Sequence, residues 1–215
     1  MSTSIQDQNR QRFDIIAADW DDSPRRRELA TGVAAAIQAA VPLQPDWQAM
    51  EYGCGTGLVG AALAPGLGRL LACDVSPGML SVLEKKARAA GLDQLHTRVL
   101  DLTSEPPPAE TFDLIFSSMT MHHIDDVAAL VRTFRSMLKP GGWLALADLD
   151  AEDGSFHGGD VPGVMHYGFD RELLQADLLA AGFVDTSACT AHTISKADAD
   201  GRVSKYPVFL ITARA

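Results

Sequence analysis

Three glycines at alternate positions, in Glu51-Tyr52-Gly53-Cys54-Gly55-Thr56-Gly57, separate an apolar run, Trp47 to Tyr52, from a helical pattern, Leu58 to Leu63. A strand that leaves through such a loop into a helix points to an α/β layer structure. Without side chains the backbone can turn tightly and let a ligand lie against it. The free N–H groups at the start of the following helix favour an anionic group. Asp74 ends the next apolar run, 19 residues beyond Gly55. A carboxylate at that place can accept both hydroxyls of a ribose. Either feature alone reads equally well as a turn or a charged strand end. In strand–loop–helix–strand order they point to a nucleoside-type cofactor.

The rest of the chain repeats this alternation. Residues 5–40 read as helical, with Phe13, Ile16 and Ala17, then Leu29, Val33, Ala36, Ile37 and Ala40 at helical spacing. Ser23-Pro24 opens a second helix within that span, and Pro42 and Pro45 end it. Leu70 to Cys73, His96 to Leu100, Phe112 to Phe116 and Trp143 to Leu149 read as further strands. One helix opens at Ser76-Pro77, carries Met79, Val82, Leu83 and Ala87, and stops at Gly91. Another is capped by Asp125 or Asp126, carries Val127, Leu130, Val131, Phe134 and Leu138, and is broken by Pro140-Gly141-Gly142. Such alternation implies parallel pairing with right-handed crossovers. The segment 150–169 is glycine-rich and aperiodic. Asp170 then caps a helix with Leu173, Leu174, Leu178 and Leu179, ended by Gly182. Two last strands, 183–194 and 205–213, flank the turn residues Asp198-Ala199-Asp200-Gly201, which predicts an antiparallel hairpin. The expected organisation is one structural domain: an N-terminal helical cover over 1–45 and a main body over 46–215, with 151–169 as a lid.

Charge narrows the function classes. Lys+Arg 18 against Asp+Glu 28 gives a net charge of −10, which repels phosphate backbones and argues against a nucleic-acid binder. Arg25-Arg26-Arg27 lies among Asp19, Asp21, Asp22 and Glu28 and reads as a solvated helix face. Three cysteines, Cys54, Cys73 and Cys189, form neither a disulfide framework nor a CxxC pair. A cytoplasmic, reducing location is expected. The polar opening MSTSIQDQNR has no signal-peptide core, and no apolar run approaches a membrane span.

Gly55-Thr56-Gly57-Leu58-Val59-Gly60 is also a literal GxGxxG, so an NAD(P)-dependent oxidoreductase is the alternative to weigh. Glu51 argues against it, since a carboxylate before the glycines would repel a pyrophosphate. So do the helices that precede the first strand, and Asp101, a further carboxylate after the third. The chain resembles the class I S-adenosylmethionine-dependent methyltransferases, in their small-molecule type 11/12-like group, from about residue 10 to its end. The family's E/D-x-G-x-G-x-G loop is matched in full by Glu51 to Gly57. The resemblance implies a Rossmann-like seven-stranded sandwich with a reversed final strand. It implies S-adenosyl-L-methionine as cofactor, with Asp74 on the ribose, followed by Val75 and Met79 in Cys-Asp-Val-Ser-Pro-Gly-Met-Leu. It places Asp101-Leu102 on the adenine, the carboxylate taking the exocyclic amine and the next N–H a ring nitrogen. Phe112 to Ser118, including Ser117, resembles the fourth motif, and Leu138-Lys139-Pro140-Gly141-Gly142 the approach to the fifth strand. Phe13-Asp14 and Trp20-Asp21 resemble the helical cover found in part of the group, with Trp20 against the cofactor. The implied partner is a small-molecule methyl acceptor.

Methyl transfer from a sulfonium mainly needs positioning and water exclusion. A base helps only where the acceptor loses a proton, by roughly 10²–10⁴-fold. His122 and His123 follow the fourth strand and are the candidates for base or acceptor orientation; the alternative is that they are polar loop residues shaping the next helix. No metal is expected, because Ser117 and Ser118 stand where a metal-dependent branch carries acids; Asp148 and Asp150 are the acids that leave the metal alternative open. His166 and Tyr167 in the lid are candidates for the acceptor side. A binding protein that keeps the cofactor pocket without turnover is the non-enzymatic alternative.

Overall fold

The structure, a computed structural model, describes residues 5–159, 161–197 and 201–215. Seven strands form one sheet: β1 Gln48–Tyr52, β2 Arg69–Asp74, β3 Leu95–Val99, β4 Phe112–Ser118, β5 Leu138–Leu149, β6 Val184–Ala197 and β7 Val203–Arg214. Their order is β3-β2-β1-β4-β5-β7-β6, with β7 antiparallel to both β5 and β6 and the other pairings parallel. The helices are α1 Ile5–Ile16, α2 Pro24–Ala40, α3 Leu58–Leu63, α4 Pro77–Ala90, α5 Val127–Met137 and α6 Arg171–Ala180. This is the seven-stranded α/β sandwich with a reversed C-terminal hairpin that the pattern predicts.

Strand alternation divides the core. Leu114 and Phe116 of β4 face one layer with Val33 and Ile37 of α2, Leu63 of α3 and Leu83 of α4. Ile115 faces the other, with Leu130, Val131 and Phe134 of α5 and Leu174 and Leu178 of α6. The period of two on the strands thus meets apolar stripes of helical period on both sides. The caps expected at Ser76, Asp126 and Asp170 form, with Ser76 Oγ accepting the Met79 N–H and the two aspartates capping α5 and α6, whereas Ser23 makes no side-chain cap bond at α2.

Some boundaries differ from the sequence reading. β5 begins at Leu138, so Pro140-Gly141-Gly142 lies within a strand and not before it. Leu138 pairs with Phe112, but the next partners are Leu114 and Trp143, so the proline and glycines form an irregularity in the ladder. Leu173 and Leu179 of α6 are exposed, because the helix docks through Leu174 and Leu178 alone. Asp198, Ala199 and Asp200 of the expected hairpin turn lie outside the described residues.

Candidate functional site

In an open sheet, ligands bind beyond the carboxyl ends of the strands where strand order reverses. Here that point lies between β1 and β4. The glycine loop leaves β1, Asp74 ends β2, Asp101 follows β3, Thr120 follows β4 and Asp148 lies near the end of β5. A groove of about 350 Å³ between α2 and α3, lined by Ala30, Ala34, Leu58 and Ala62, lies away from these groups.

The three glycines have different reasons. A Cβ at Gly53 would fall 2.2 Å from Thr120 Oγ1, and one at Gly57 2.3 Å from Leu83 Cδ1. These two permit close packing of the loop on β4 and α4. Gly55, at φ +54°, has nothing within 4 Å of a built Cβ. It borders open space with a backbone angle that favours glycine. Its N–H donates to Asp74 Oδ2 at 2.7 Å, while Asp74 Oδ1 accepts the Ser76 N–H at 2.9 Å. A carboxylate has about four lone-pair sites, so Asp74 keeps capacity for further donors. Burial raises its pKa, against the hydrogen bonds from Ser76, Gly55 and Val75. Val75 is half-buried and Met79 buried. The open cradle at Gly55 beside Asp74 fits a ribose-bearing ligand.

The other acidic residues are placed differently from the sequence argument. Glu51 is 2% exposed and lies under the loop against α3, where a Cβ at Gly60 would meet its Oε2 at 2.2 Å. Burial pushes its carboxyl up to about 8. It is therefore mostly protonated at neutral pH, and its charge cannot be the reason a pyrophosphate is excluded. Asp101 folds back on its own turn: Oδ1 accepts from the Thr103 N–H and Oγ1, and Oδ2 from Ser104 Oγ. The Leu102 N–H donates inward to Tyr52 Oη at 3.2 Å. The two groups that the resemblance puts on an adenine are thus engaged within the protein. Ser117 Oγ donates to the Tyr52 carbonyl in the core.

The charged N-terminal segment is not simply a solvated face. Asp14 Oδ1 accepts from Ser76 Oγ at 2.6 Å and from the Gly78 N–H at 2.8 Å. Asp21 accepts from Thr56 Oγ1 and pairs with Lys86, which also donates to the Thr56 carbonyl. The Arg26 guanidinium lies 3.7 Å from the centroid of the Trp20 ring. Trp20 meets Phe13 edge to face, and Phe13 meets His123 likewise. The cover is therefore bonded to the glycine loop and the start of α4, and it touches the histidines.

Met119 turns the chain out of β4 at φ +55°, a strained angle for a side-chain-bearing residue. The turn delivers His122 to Asp148: Nδ1 lies 2.7 Å from Oδ1, and the His122 N–H donates to Oδ2 at 3.2 Å. The His122 and His123 rings adjoin, with centroids 4.1 Å apart and planes tilted by 44°. His123 Nδ1 donates to the Gly163 carbonyl at 2.6 Å. His157, part of the expected lid but not among the acceptor-side candidates, has its ring centroid 5.2 Å from that of His122. Burial lowers the pKa of both His123 and His157 to about 4. His166 stands apart from this cluster, its Nε2 bonded to the Ile124 carbonyl and its ring against Phe169. Tyr167 packs near Gly154, and its N-terminal neighbours Met165 and His166 donate backbone N–H groups to the His122 carbonyl. Cys54 and Cys73 are buried, and burial raises both thiols, Cys73 to about 12, as suits packed side chains.

Residues 49–142 match the family model described as "Methyltransferase domain". An uncharacterised methyltransferase of Schizosaccharomyces pombe is 30% identical over 164 residues, 70% of this chain and 56% of that protein. A ubiquinone biosynthesis O-methyltransferase of Xanthomonas campestris is 30% identical over 141 residues, 64% of this chain and 58% of that protein. The chain thus spans a little over half the length of these curated relatives. Among solved structures, the DhpI–SAH complex superposes with a TM-score of 0.75 at 21% identity, covering 100% of this chain and 98% of that one. None of these matches favours the nicotinamide alternative. Residues 49–142 thus match a methyltransferase domain, and the chain as a whole has the Rossmann-like methyltransferase fold.

Proposed function

We propose that the protein transfers a methyl group from S-adenosyl-L-methionine to a small-molecule acceptor. The carrying observation is the open cradle at Gly55 with the Asp74 carboxylate bonded to its N–H, at the reversal of strand order. When bound, the cofactor supplies a methyl group already activated on a positively charged sulfur. The chain's own residues then bind, orient and exclude water. Gly55 lets the backbone approach, Gly53 and Gly57 let the loop pack on β4 and α4, and Asp74 retains acceptor sites for ribose hydroxyls. Val75, Met79 and Leu102 offer apolar or backbone contact, with Asp101 and Trp20 at the periphery, while Glu51 and Ser117 support the loop from beneath. His122 and His123 stand on the acceptor side. The 151–169 segment acts as a lid that carries His166 and Tyr167 toward the acceptor side. Residues 1–45 act as a cover on the 46–215 body.

A small acceptor is supported by the name of the Xanthomonas relative. The net charge of −10 opposes nucleic acid as substrate. Among the described residues no helix is long and apolar enough to cross a membrane. The cysteines Cys54, Cys73 and Cys189 are unpaired, which supports a reducing, cytoplasmic location. The test is formation of S-adenosylhomocysteine from S-adenosylmethionine over a panel of small hydroxyl, amine and thiol compounds. Acceptor-dependent formation is expected. Cofactor binding with no turnover on any compound would instead favour a binding protein without catalysis.

A further inference from the structure

Asp148 is 0% exposed, and a buried carboxylate needs partners. It has three donors: His122 Nδ1, the His122 N–H and the Leu149 N–H. Burial alone would raise its pKa, but the His122 imidazole and these hydrogen bonds hold it below the usual range. An ionised carboxylate only accepts, so His122 Nδ1 carries a proton, and the neutral ring then presents Nε2 as an acceptor. Among the described residues Nε2 of His122 has no hydrogen-bond partner. The groups facing His122 are Asp148 from β5, His123 beside it and His157 from the 150–169 segment. His123 is tied through Nδ1 to Gly163. His157 Nε2 is buried without a partner among the described residues. Protonating either of these would leave a buried cation without an anion in contact, whereas His122 has one behind it. Two unpartnered ring nitrogens on adjoining rings mark a place for a polar group.

Resting on the function proposed above, we propose that Asp148 is a positioning residue that holds His122 as proton acceptor for a hydroxyl-bearing methyl acceptor, with His157 closing the wall of that site. The acceptor oxygen forms its bond to the methyl carbon as the carbon–sulfur bond breaks and leaves its electron pair on sulfur. The hydroxyl proton goes to His122 Nε2 and then to water. Acceptors with no proton to lose gain nothing from this pair.

The test uses the full chain with S-adenosylhomocysteine, read by ¹⁵N NMR of the imidazoles. Wild type and Asp148→Asn are then compared in turnover of S-adenosylmethionine with a phenol, a catechol, a primary amine and a thiol. The expected results are the Nδ1–H tautomer for His122 in wild type and mixed tautomers in Asp148→Asn. Methylated hydroxyl product is expected, with kcat falling roughly 10²-fold or more in the variant by analogy with other oriented histidines. KM and cofactor affinity should stay within about twofold of wild type, well inside a tenfold, 1.4 kcal/mol difference. His122→Asn keeps a donor towards Asp148 and lacks the base. It should fold, bind S-adenosylhomocysteine and lose roughly 10²–10⁴-fold in the same turnover, which keeps the test intact if Asp148→Asn fails to fold. An Nε2–H tautomer in wild type, unchanged kcat in the variants, or no hydroxyl product would overturn the proposal. Failure of wild type to bind S-adenosylhomocysteine would instead sink the function it rests on.

Discussion

Glu51 and Asp74 belong to the same loop, yet the fold uses them differently. Asp74 has backbone donors on both oxygens, while Glu51 has Oε2 buried without a partner among the described residues. Below its ordinary value of 4.5, Glu51 keeps its proton in folded and unfolded chains alike. Between there and about 8 only the folded chain keeps it, so this residue lowers stability as pH rises through that window. Glu51→Gln should therefore change the melting temperature little at pH 5 and raise it relative to wild type at pH 8. Thermal denaturation at the two pH values checks this; an equal shift at both would show that ionisation of Glu51 does not limit stability. The glycine spacing and Asp74 were legible because a tight strand–helix turn admits few residue types. The depth of Glu51 was not legible, since a carboxylate beside glycines reads the same whether it faces ligand or core. Nor was the Asp148–His122 contact, which joins residues 26 apart in sequence.

Strands and helices followed from periodicity because both faces of the sheet are covered, so apolar stripes had to match on each. The reading faltered where backbone geometry outweighs pattern. β5 starts early because its irregular ladder accommodates Pro140 to Gly142. His157 sits in an aperiodic segment, with no spacing to reveal which histidine it meets. The Arg25 to Arg27 run and the acids around it read as solvated, but Asp21 pairs with Lys86 and, with Asp14, holds the cover to α4 and the glycine loop. Asp14→Ala removes hydrogen bonds to Ser76 and Gly78. Bonds to charged groups are worth about 1.5–3 kcal/mol each when buried, and partial exposure reduces this. A loss of about 1–3 kcal/mol is expected in urea denaturation. Amide exchange over residues 8–22 should quicken more than exchange in the sheet. Unchanged protection of 8–22 would show that the cover is held by the contact of Phe13 with His123 instead.

At the scale of the molecule, the reversal of strand order between β1 and β4 gathers groups from five strand ends onto one edge. The N-terminal segment bonds to that edge through Asp14 and Asp21, and His123 and Asn9 bond to the Gly163 carbonyl. The central claim is that this edge holds S-adenosylmethionine by way of Gly55 and Asp74. Calorimetric titration of the full chain with S-adenosylhomocysteine and, separately, with NAD tests it most directly, in wild type and in Asp74→Ala. Two hydroxyl bonds to a charged group at about 1.5–3 kcal/mol each would be lost in the variant. The expected result is binding of S-adenosylhomocysteine and not NAD by wild type, with the dissociation constant rising roughly ten- to several-hundred-fold in Asp74→Ala. Preference for NAD, or unchanged affinity for S-adenosylhomocysteine in a folded Asp74→Ala protein, would contradict the account.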